Sequence, residues 1–221
     1  MARIGDIQLV VFDWNGTLID DFSGMFSGVQ EIFRRFGVSV PPVETYQEEI
    51  TADIMQFYWA HGIPRTATVE ELNAILREVF GQLGPTSYPL RKDALMTLDR
   101  LRHRSYNLAL VSAGDGVKIQ EQLGYFGISS HFTRIATDAR NKAQALLETA
   151  EFFGVAPKKA IYVDDTAKGL VAAKSADFRT CGVYSGYNSI RQIREVKPDM
   201  FLAGDDLASL PLGIWSFPSY K

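Results

Sequence analysis

Six short apolar runs recur along the chain, and each is closed by a polar cluster. Ile7-Gln8-Leu9-Val10-Val11-Phe12 ends at Asp13, and Asn107-Leu108-Ala109-Leu110-Val111 ends at Ser112-Ala113-Gly114. Phe132 to Ala136 is followed by Thr137-Asp138-Ala139-Arg140, Ala160 to Val163 by Asp164-Asp165, and Arg179 to Tyr184 by Ser185-Gly186. Met200-Phe201-Leu202 is a weaker sixth. Short β-rich runs bounded by turn residues suit strands buried on both faces. Between them the apolar spacing becomes helical. Ala94, Leu95, Leu98 and Leu101 share a face over 93–103, and Leu146, Leu147, Ala150 and Phe153 do so over 143–153, with Gly154 placed as a C-cap. A short helix over 171–176 is entered just past Gly169. Strand alternating with helix predicts an α/β fold with a doubly wound parallel sheet. In such sheets ligands bind outside the carboxyl ends of the strands, where the polar clusters sit.

Residues 20–87 carry a different pattern. Helical spacing runs over 22–36, 45–61 and 69–83, interrupted by Pro41-Pro42 and by Gly62-Ile63-Pro64, with no convincing strand. The expected organisation is a core of residues 1–19 and 88–221 with an all-helical insertion at 20–87, placed beside the active end of the first strand where it could act as a lid.

Composition narrows the function classes. With 221 residues, 46% hydrophobic and 22% charged, the chain has ample material for a buried core. The formal net charge is −3 and the Lys and Arg residues are dispersed, which argues against a nucleic-acid surface or a polybasic membrane patch. A small anionic substrate remains compatible. The apolar run before Asp13 is too short for a signal-peptide core or a membrane span. Cys181 is the single cysteine, so no intramolecular disulfide forms, and its apolar neighbours mark it as a core residue. A cytoplasmic protein is the expectation.

Candidate chemistry concentrates at the strand ends. In Phe12-Asp13-Trp14-Asn15-Gly16-Thr17-Leu18, Asp13 could serve as a nucleophile toward phosphorus, hold a cation, or simply cap the next helix. Gly16 permits a tight turn that aims amide groups at an anion, and Thr17 can fix that loop. The adjacent carboxylates Asp164 and Asp165 end another buried strand, where they repel unless solvated, protonated or bound to a cation. With Asp13 they would make a hard, oxygen-rich Mg²⁺ site. Ser112-Ala113-Gly114 offers a hydroxyl and backbone amides, and Lys142 opens a helix with an ammonium group. His61, His103 and His131 have no second ligand at metal spacing and are read as surface or packing residues.

These four pieces, in this order, resemble the haloacid dehalogenase superfamily of aspartate-nucleophile phosphohydrolases, over nearly the whole chain. The insertion resembles the helical cap that some members carry after the first motif. The segment from Ala172 to Asp177, with Gly182-Val183-Tyr184-Ser185-Gly186-Tyr187, is similar to the tail of phosphoglycolate-phosphatase-like members. The resemblance implies Asp13 as the nucleophile, with Ser112 and Lys142 on the phosphoryl oxygens. It implies a Mg²⁺ ion held by Asp13, Asp165, the backbone carbonyl of Asn15, and Asp164 directly or through water. A small phosphorylated metabolite would be the substrate. One position departs from the pattern: phosphatases of the family carry an aspartate where this chain has Asn15, and an amide cannot shuttle a proton. General acid–base help is worth ~10²–10⁴ in rate. Asn15 therefore keeps open an alternative, a phosphate-ligand-binding or regulatory protein of the same scaffold with weak or lost turnover. The insertion contains no lysine, since the first in the chain is Lys92, so it lacks the Schiff-base residue of the similar phosphonoacetaldehyde hydrolases. The acidic pair and Asn15 together disfavour the metal-free dehalogenases.

Overall fold

The structure, a computed structural model, describes residues 7–51, 53–81, 83–203 and 207–210. Strands β1 (Leu9–Phe12), β2 (Asn107–Val111), β3 (Arg134–Ala136), β4 (Ala160–Asp164), β5 (Arg179–Val183) and β6 (Met200–Leu202) form one parallel sheet in the order β3-β2-β1-β4-β5-β6. The apolar runs become strands because both faces of the sheet are covered. Val10, Phe12, Leu108, Leu110, Ile161 and Val163 point to one side, where they pack with Leu98 and Leu101 of α5 (Ala94–His103) and Leu123 of α6 (Gly116–Tyr125). Leu9, Val11, Ala109, Val111 and Tyr162 point to the other, against Leu146 and Ala150 of α7 (Lys142–Phe152) and Ala173 of α8 (Ala167–Ser175). This two-residue alternation, buried on both sides, makes the strands read as continuous hydrophobic runs. Cys181 lies in the first of these clusters, and burial pushes its thiol pKa up to about 12, so it is an inert packing group.

The register places the chemistry. Phe12 lies opposite Val163 on one side and Leu110 on the other. The Asp13 amide donates to the Val163 carbonyl at 2.9 Å, which extends the pairing by one residue and brings Asp13 level with Asp164. The strand order reverses its direction of growth between β1 and β4, so these carboxylates sit at the switch point where doubly wound sheets open a crevice.

Among the described residues, four helices lie between β1 and α5: α1 (Phe22–Arg35), α2 (Val43–Glu49), α3 (Ile54–Ala60) and α4 (Val69–Gly81). Their apolar faces form a separate cluster around Val29, Ile32, Phe33, Tyr46, Phe57 and Tyr58. Helix α4 opens with a capping box: the Glu71 amide donates to Thr68 Oγ1 at 3.2 Å, and the Thr68 amide donates to Glu71 Oε2 at 2.8 Å. The helical spacing over 45–61 splits into α2 and α3. Ile50 turns extended (φ −64°, ψ 129°), and Gln192 Nε2 donates to the carbonyls of Glu48 and Ile50 at 2.9 and 3.0 Å. Those carbonyls go to the core instead of to a continuing helix, and Asp53 starts the next one by accepting from the Met55 amide at 3.2 Å. Arg191, on α9 (Ile190–Glu195), adds an ion pair to Glu48 at 2.7 Å.

The chain enters and leaves the four-helix segment through two strands of backbone that run side by side. Asp20 N donates to Pro89 O at 2.9 Å and Arg91 N to Leu18 O at 2.8 Å. The buried Arg91 guanidinium braces this junction by donating to the Gly16 carbonyl at 2.8 Å and the Tyr184 carbonyl at 3.0 Å. Among the described residues, no helix is long and apolar enough to cross a membrane.

Helix α8 begins at Ala167, earlier than the spacing suggested, because Thr166 caps it by accepting from the Gly169 amide at 3.1 Å. Gly169 therefore lies inside the first turn, directly over Asp164, where an added Cβ would overlap the carboxylate. Gly169→Ala is expected to lower thermal stability by about 1–3 kcal/mol, the usual range for overpacking. A melting temperature equal to wild type in a thermal melt would contradict this account of the α8 start.

Candidate active site

The first loop is built around a tight turn after β1. The Trp14 carbonyl accepts from the amides of Thr17, Leu18 and Ile19 at 3.2, 2.9 and 3.1 Å. Trp14 is fully buried and its indole donates to Gln122 Oε1 at 2.7 Å. Gly16 takes φ +70°, and a Cβ there would run into Asp165 and come within 2.8 Å of Tyr187. Only glycine meets both demands. The Thr17 hydroxyl donates to Asp165 Oδ1 at 3.1 Å, which ties the loop to the end of β4.

Asp13, Asp164 and Asp165 converge, each offering an oxygen within 4.8 Å of the others, and all three are buried. Among the described residues, Lys142 is the cation that pairs with them. Lys142, the first residue of α7, places Nζ 2.7 Å from Asp164 Oδ2 and 3.3 Å from Asp13 Oδ1. Asn141 sets that helix start by accepting from the Gln144 amide at 3.2 Å. Asp164 Oδ1 accepts from the Thr166 amide at 2.6 Å and from its hydroxyl at 2.7 Å. Asp165 Oδ2 accepts from the Ser185 hydroxyl. Oδ1 of Asp13, by contrast, has no hydrogen-bond donor.

The charge balance has a direct electrostatic consequence. Burial, helped by Asp164 and opposed by Lys142, pushes the Asp13 carboxyl up to about 6. Asp165 is also driven well above the usual carboxylate range, by burial and then by the charges of Asp164 and Asp13. Burial alone would lower the Lys142 pKa, but Asp13 and Asp164 outweigh it and hold it above the ordinary lysine value. One ammonium does not balance three carboxylates. Either protons or a cation must supply the rest. The donor set is all oxygen, and Asp13 Oδ1, though ion-paired to Lys142, accepts no hydrogen bond among the described residues, so the cluster fits a hard divalent ion.

Ser112 closes the other side of the cleft. It follows β2, is buried, and its hydroxyl reaches the Asp13 carboxylate and accepts from the Gly114 amide at 3.2 Å. Asp13, Asn15, Ser112, Ala113, Gly114 and Lys142 together line a cleft of about 460 Å³. All the residues singled out from the strand ends thus meet in one place. Sequence reasoning did not find Asp21, Ser185, Tyr187 or Arg91. Asp21 accepts from Asn15 Nδ2 at 2.5 Å and from the Gly16 amide at 2.9 Å, and its pKa is raised by burial against these hydrogen bonds and that of Tyr187. The adjacent Asp20-Asp21 pair after an apolar run was the available signal for Asp21. His61 pairs with Glu49 at 2.8 Å and His131 with Asp99 at 2.8 Å, both away from the cleft.

A family model described as haloacid dehalogenase-like hydrolase matches residues 10–183, from β1 through β5. The chain is 27% identical over 217 residues to a phosphoglycolate phosphatase of Pasteurella multocida, covering 92% of this chain and 96% of that protein. It is 22% identical over 219 residues to the phosphoglycolate phosphatase of Psychrobacter arcticus, covering 93% and 94%. Among solved structures it resembles a haloacid dehalogenase-like hydrolase of Streptococcus pneumoniae with TM-score 0.71 at 21% identity, covering 90% and 95%. A hydrolase of Deinococcus radiodurans R1, solved with bound phosphate and sodium, gives TM-score 0.71 at 16% identity, covering 95% and 96%. Likeness at such identity speaks for a shared fold.

The raised carboxyl pKa values fix the sign of a pH effect. A group whose folded pKa lies above its unfolded value stabilises the fold at low pH, and that contribution is lost as pH rises through the folded pKa. For Asp13 the window runs from the unfolded 3.8 up to about 6. In EDTA the melting temperature is expected to rise as pH is lowered from about 7.5 to 5.5. A melting temperature that falls steadily over that interval would contradict the charge balance described here.

Proposed function

Because the chain belongs to the haloacid dehalogenase-like hydrolases, we propose that it is a Mg²⁺-dependent phosphatase that hydrolyses a small phosphorylated metabolite through an aspartyl-phosphate. The observation that carries this reading is the convergence of Asp13, Asp164 and Asp165, buried, on the one ammonium of Lys142. The names of the phosphoglycolate phosphatase relatives support the same reaction class.

In this reading a carboxylate oxygen of Asp13 attacks phosphorus as the bond from phosphorus to the ester oxygen breaks, and the leaving oxygen takes the electron pair. Water then attacks the phosphorus of the aspartyl-phosphate, releasing inorganic phosphate and regenerating the carboxylate. Lys142 pairs with a phosphoryl oxygen while keeping Asp13 ionised, since its own proton is held firmly by the surrounding carboxylates. The Ser112 hydroxyl and the amides of Ala113 and Gly114 hold the remaining phosphoryl oxygens. Asp13, Asp165, the Asn15 carbonyl and Asp164 would hold Mg²⁺, which when bound offsets repulsion between the nucleophile and a phosphate dianion. Thr17 and Ser185 orient Asp165 for that task. The four helices 22–81 act as a cap over the cleft, entered and left through the paired backbone beside Arg91.

Asn15 makes the reaction depend on the leaving group. Its amide donates to Asp21 and carries no transferable proton, so poor leaving groups lose the help of a general acid. A binding protein without turnover is the less favoured reading, because the nucleophile, its lysine and the acidic pair are all in place.

Three assays test the proposal. With Mg²⁺, wild type is expected to hydrolyse p-nitrophenyl phosphate, and Asp13→Asn to lose at least ~10³-fold in kcat. Asn15→Asp sets two carboxylates within hydrogen-bond distance, and their mutual repulsion raises the pKa of the pair. That variant is expected to raise kcat on alkyl phosphates by about 10-fold or more. Absence of turnover on either substrate class, in both wild type and Asn15→Asp, would sink the phosphatase reading.

A further inference from the structure

The substrate's alcohol half is readable from the cavity next to the phosphate cleft. We propose that this cavity takes an uncharged, mainly apolar alcohol group, and that the chain discriminates against carboxylate-bearing esters such as the phosphoglycolate in its relatives' names. The inference rests on the phosphatase reading and deepens it by naming the substrate class.

A cavity of about 500 Å³ adjoins the cleft that holds Asp13, Ser112 and Lys142, and the two share Asn15, Ala113 and Tyr187. A phosphate seated at Asp13 therefore directs its ester substituent past Asn15 into this second space. The walls there are mostly apolar: Met25, Phe80, Leu83 and Pro85 come from the helical segment and its exit, Tyr88 from the junction, and Ile119 from α6. Apolar walls of this kind attract a ring or carbon chain by removing it from water.

The charged lining residues are unsuited to a second anion. Asp21, Asp115 and Glu121 face Lys118, three acidic groups against one basic. The Lys118 ammonium is engaged, donating to the Phe80 carbonyl at 3.0 Å near the end of α4. The arginines of the helical segment are committed elsewhere. Arg34 and Arg35 pair with Glu31, Arg35 also with Glu78, and Arg77 with Glu70. Arg65 stacks over the Trp59 ring at 5.5 Å. None of them lines the cavity. A substrate carboxylate placed there would meet three acidic groups against the single ammonium of Lys118, which is tethered to a backbone carbonyl, and this net negative lining disfavours anionic alcohols.

Calorimetric binding to the Asp13→Asn variant with Mg²⁺ reads the cavity independently of turnover, with benzyl phosphate, 2-phosphoglycolate and phosphocholine as probes. Benzyl phosphate is expected to bind about 10-fold more tightly than 2-phosphoglycolate and more tightly than phosphocholine. A preference for benzyl phosphate over 2-phosphoglycolate below about fivefold, tighter binding of phosphocholine, or no binding of benzyl phosphate overturns the proposal. Met25→Lys in the same background should shrink the benzyl-to-phosphoglycolate ratio at least about fivefold. A ratio unmoved by that change overturns the placement of the alcohol in this cavity. The same ranking should appear in competitive inhibition of wild-type acetyl phosphate hydrolysis, whose leaving group needs neither the cavity nor a proton. Loss of acetyl phosphate hydrolysis with the binding preference intact would count against the phosphatase reading and leave the cavity's preference standing.

Discussion

Three carboxylates share a buried space with one ammonium, and much of the molecule exists to hold that unfavourable arrangement. Asp13, Asp164 and Asp165 would separate if the backbone allowed it. The pairing of β1 with β4 fixes the first two level with each other, and Asp165 follows on the next residue. Thr17 and Ser185 hold Asp165 from two different loops, and Thr166 holds Asp164 while starting α8. Gly16 and Gly169 are needed because a side chain at either would occupy the volume of these carboxylates. Such strain against local preference is characteristic of functional sites, where stability is traded for a poised charge.

The same strand register accounts for what the sequence made legible. The sheet was readable because strands buried on both faces are continuous apolar runs, and the polar residues that end them necessarily project from one edge. Asp13, Ser112 and Asp164 could be placed for that reason, and Lys142 because it opens a helix at the same edge. Helices α6 and α9 left weaker signals. α6 contains Gly116 and Gly124 and exposes Val117 and Tyr125, so its apolar stripe is blurred, although Asp115 stands before it as an N-cap accepting from the Lys118 amide at 3.1 Å. α9 spans only six residues. The break between α2 and α3 was unreadable, since it depends on Gln192 more than a hundred residues away capturing two carbonyls. Asp21, Ser185, Tyr187 and Arg91 were missed for the same reason. Ser185 and Arg91 find their partners in other core loops, and Asp21 and Tyr187 meet where the helical segment joins the core, contacts that only the folded geometry supplies.

The two neighbouring spaces divide the chemistry. The cleft at the sheet edge carries the lysine and the carboxylates and would take the phosphate. The adjoining cavity draws its walls from both the helical segment and the core, and in the proposed reaction it would set what may be attached to that phosphate. Asn15 and Tyr187 line both, and Asp21 links them through Asn15. Replacing a carboxylate by Asn15 while Asp21 accepts its amide proton moves negative charge away from the nucleophile toward the alcohol side. In the proposed reaction that redistribution would connect the leaving-group dependence to the discrimination against anionic alcohols.

The central claim is that the buried carboxylates are completed by a divalent cation. Calorimetric titration of Mg²⁺ into protein freed of metal by chelation tests it most directly. One saturable site per chain in wild type, lost in Asp165→Asn, is the predicted result. A titration without saturable heat in wild type, or one unchanged by Asp165→Asn, would contradict the claim.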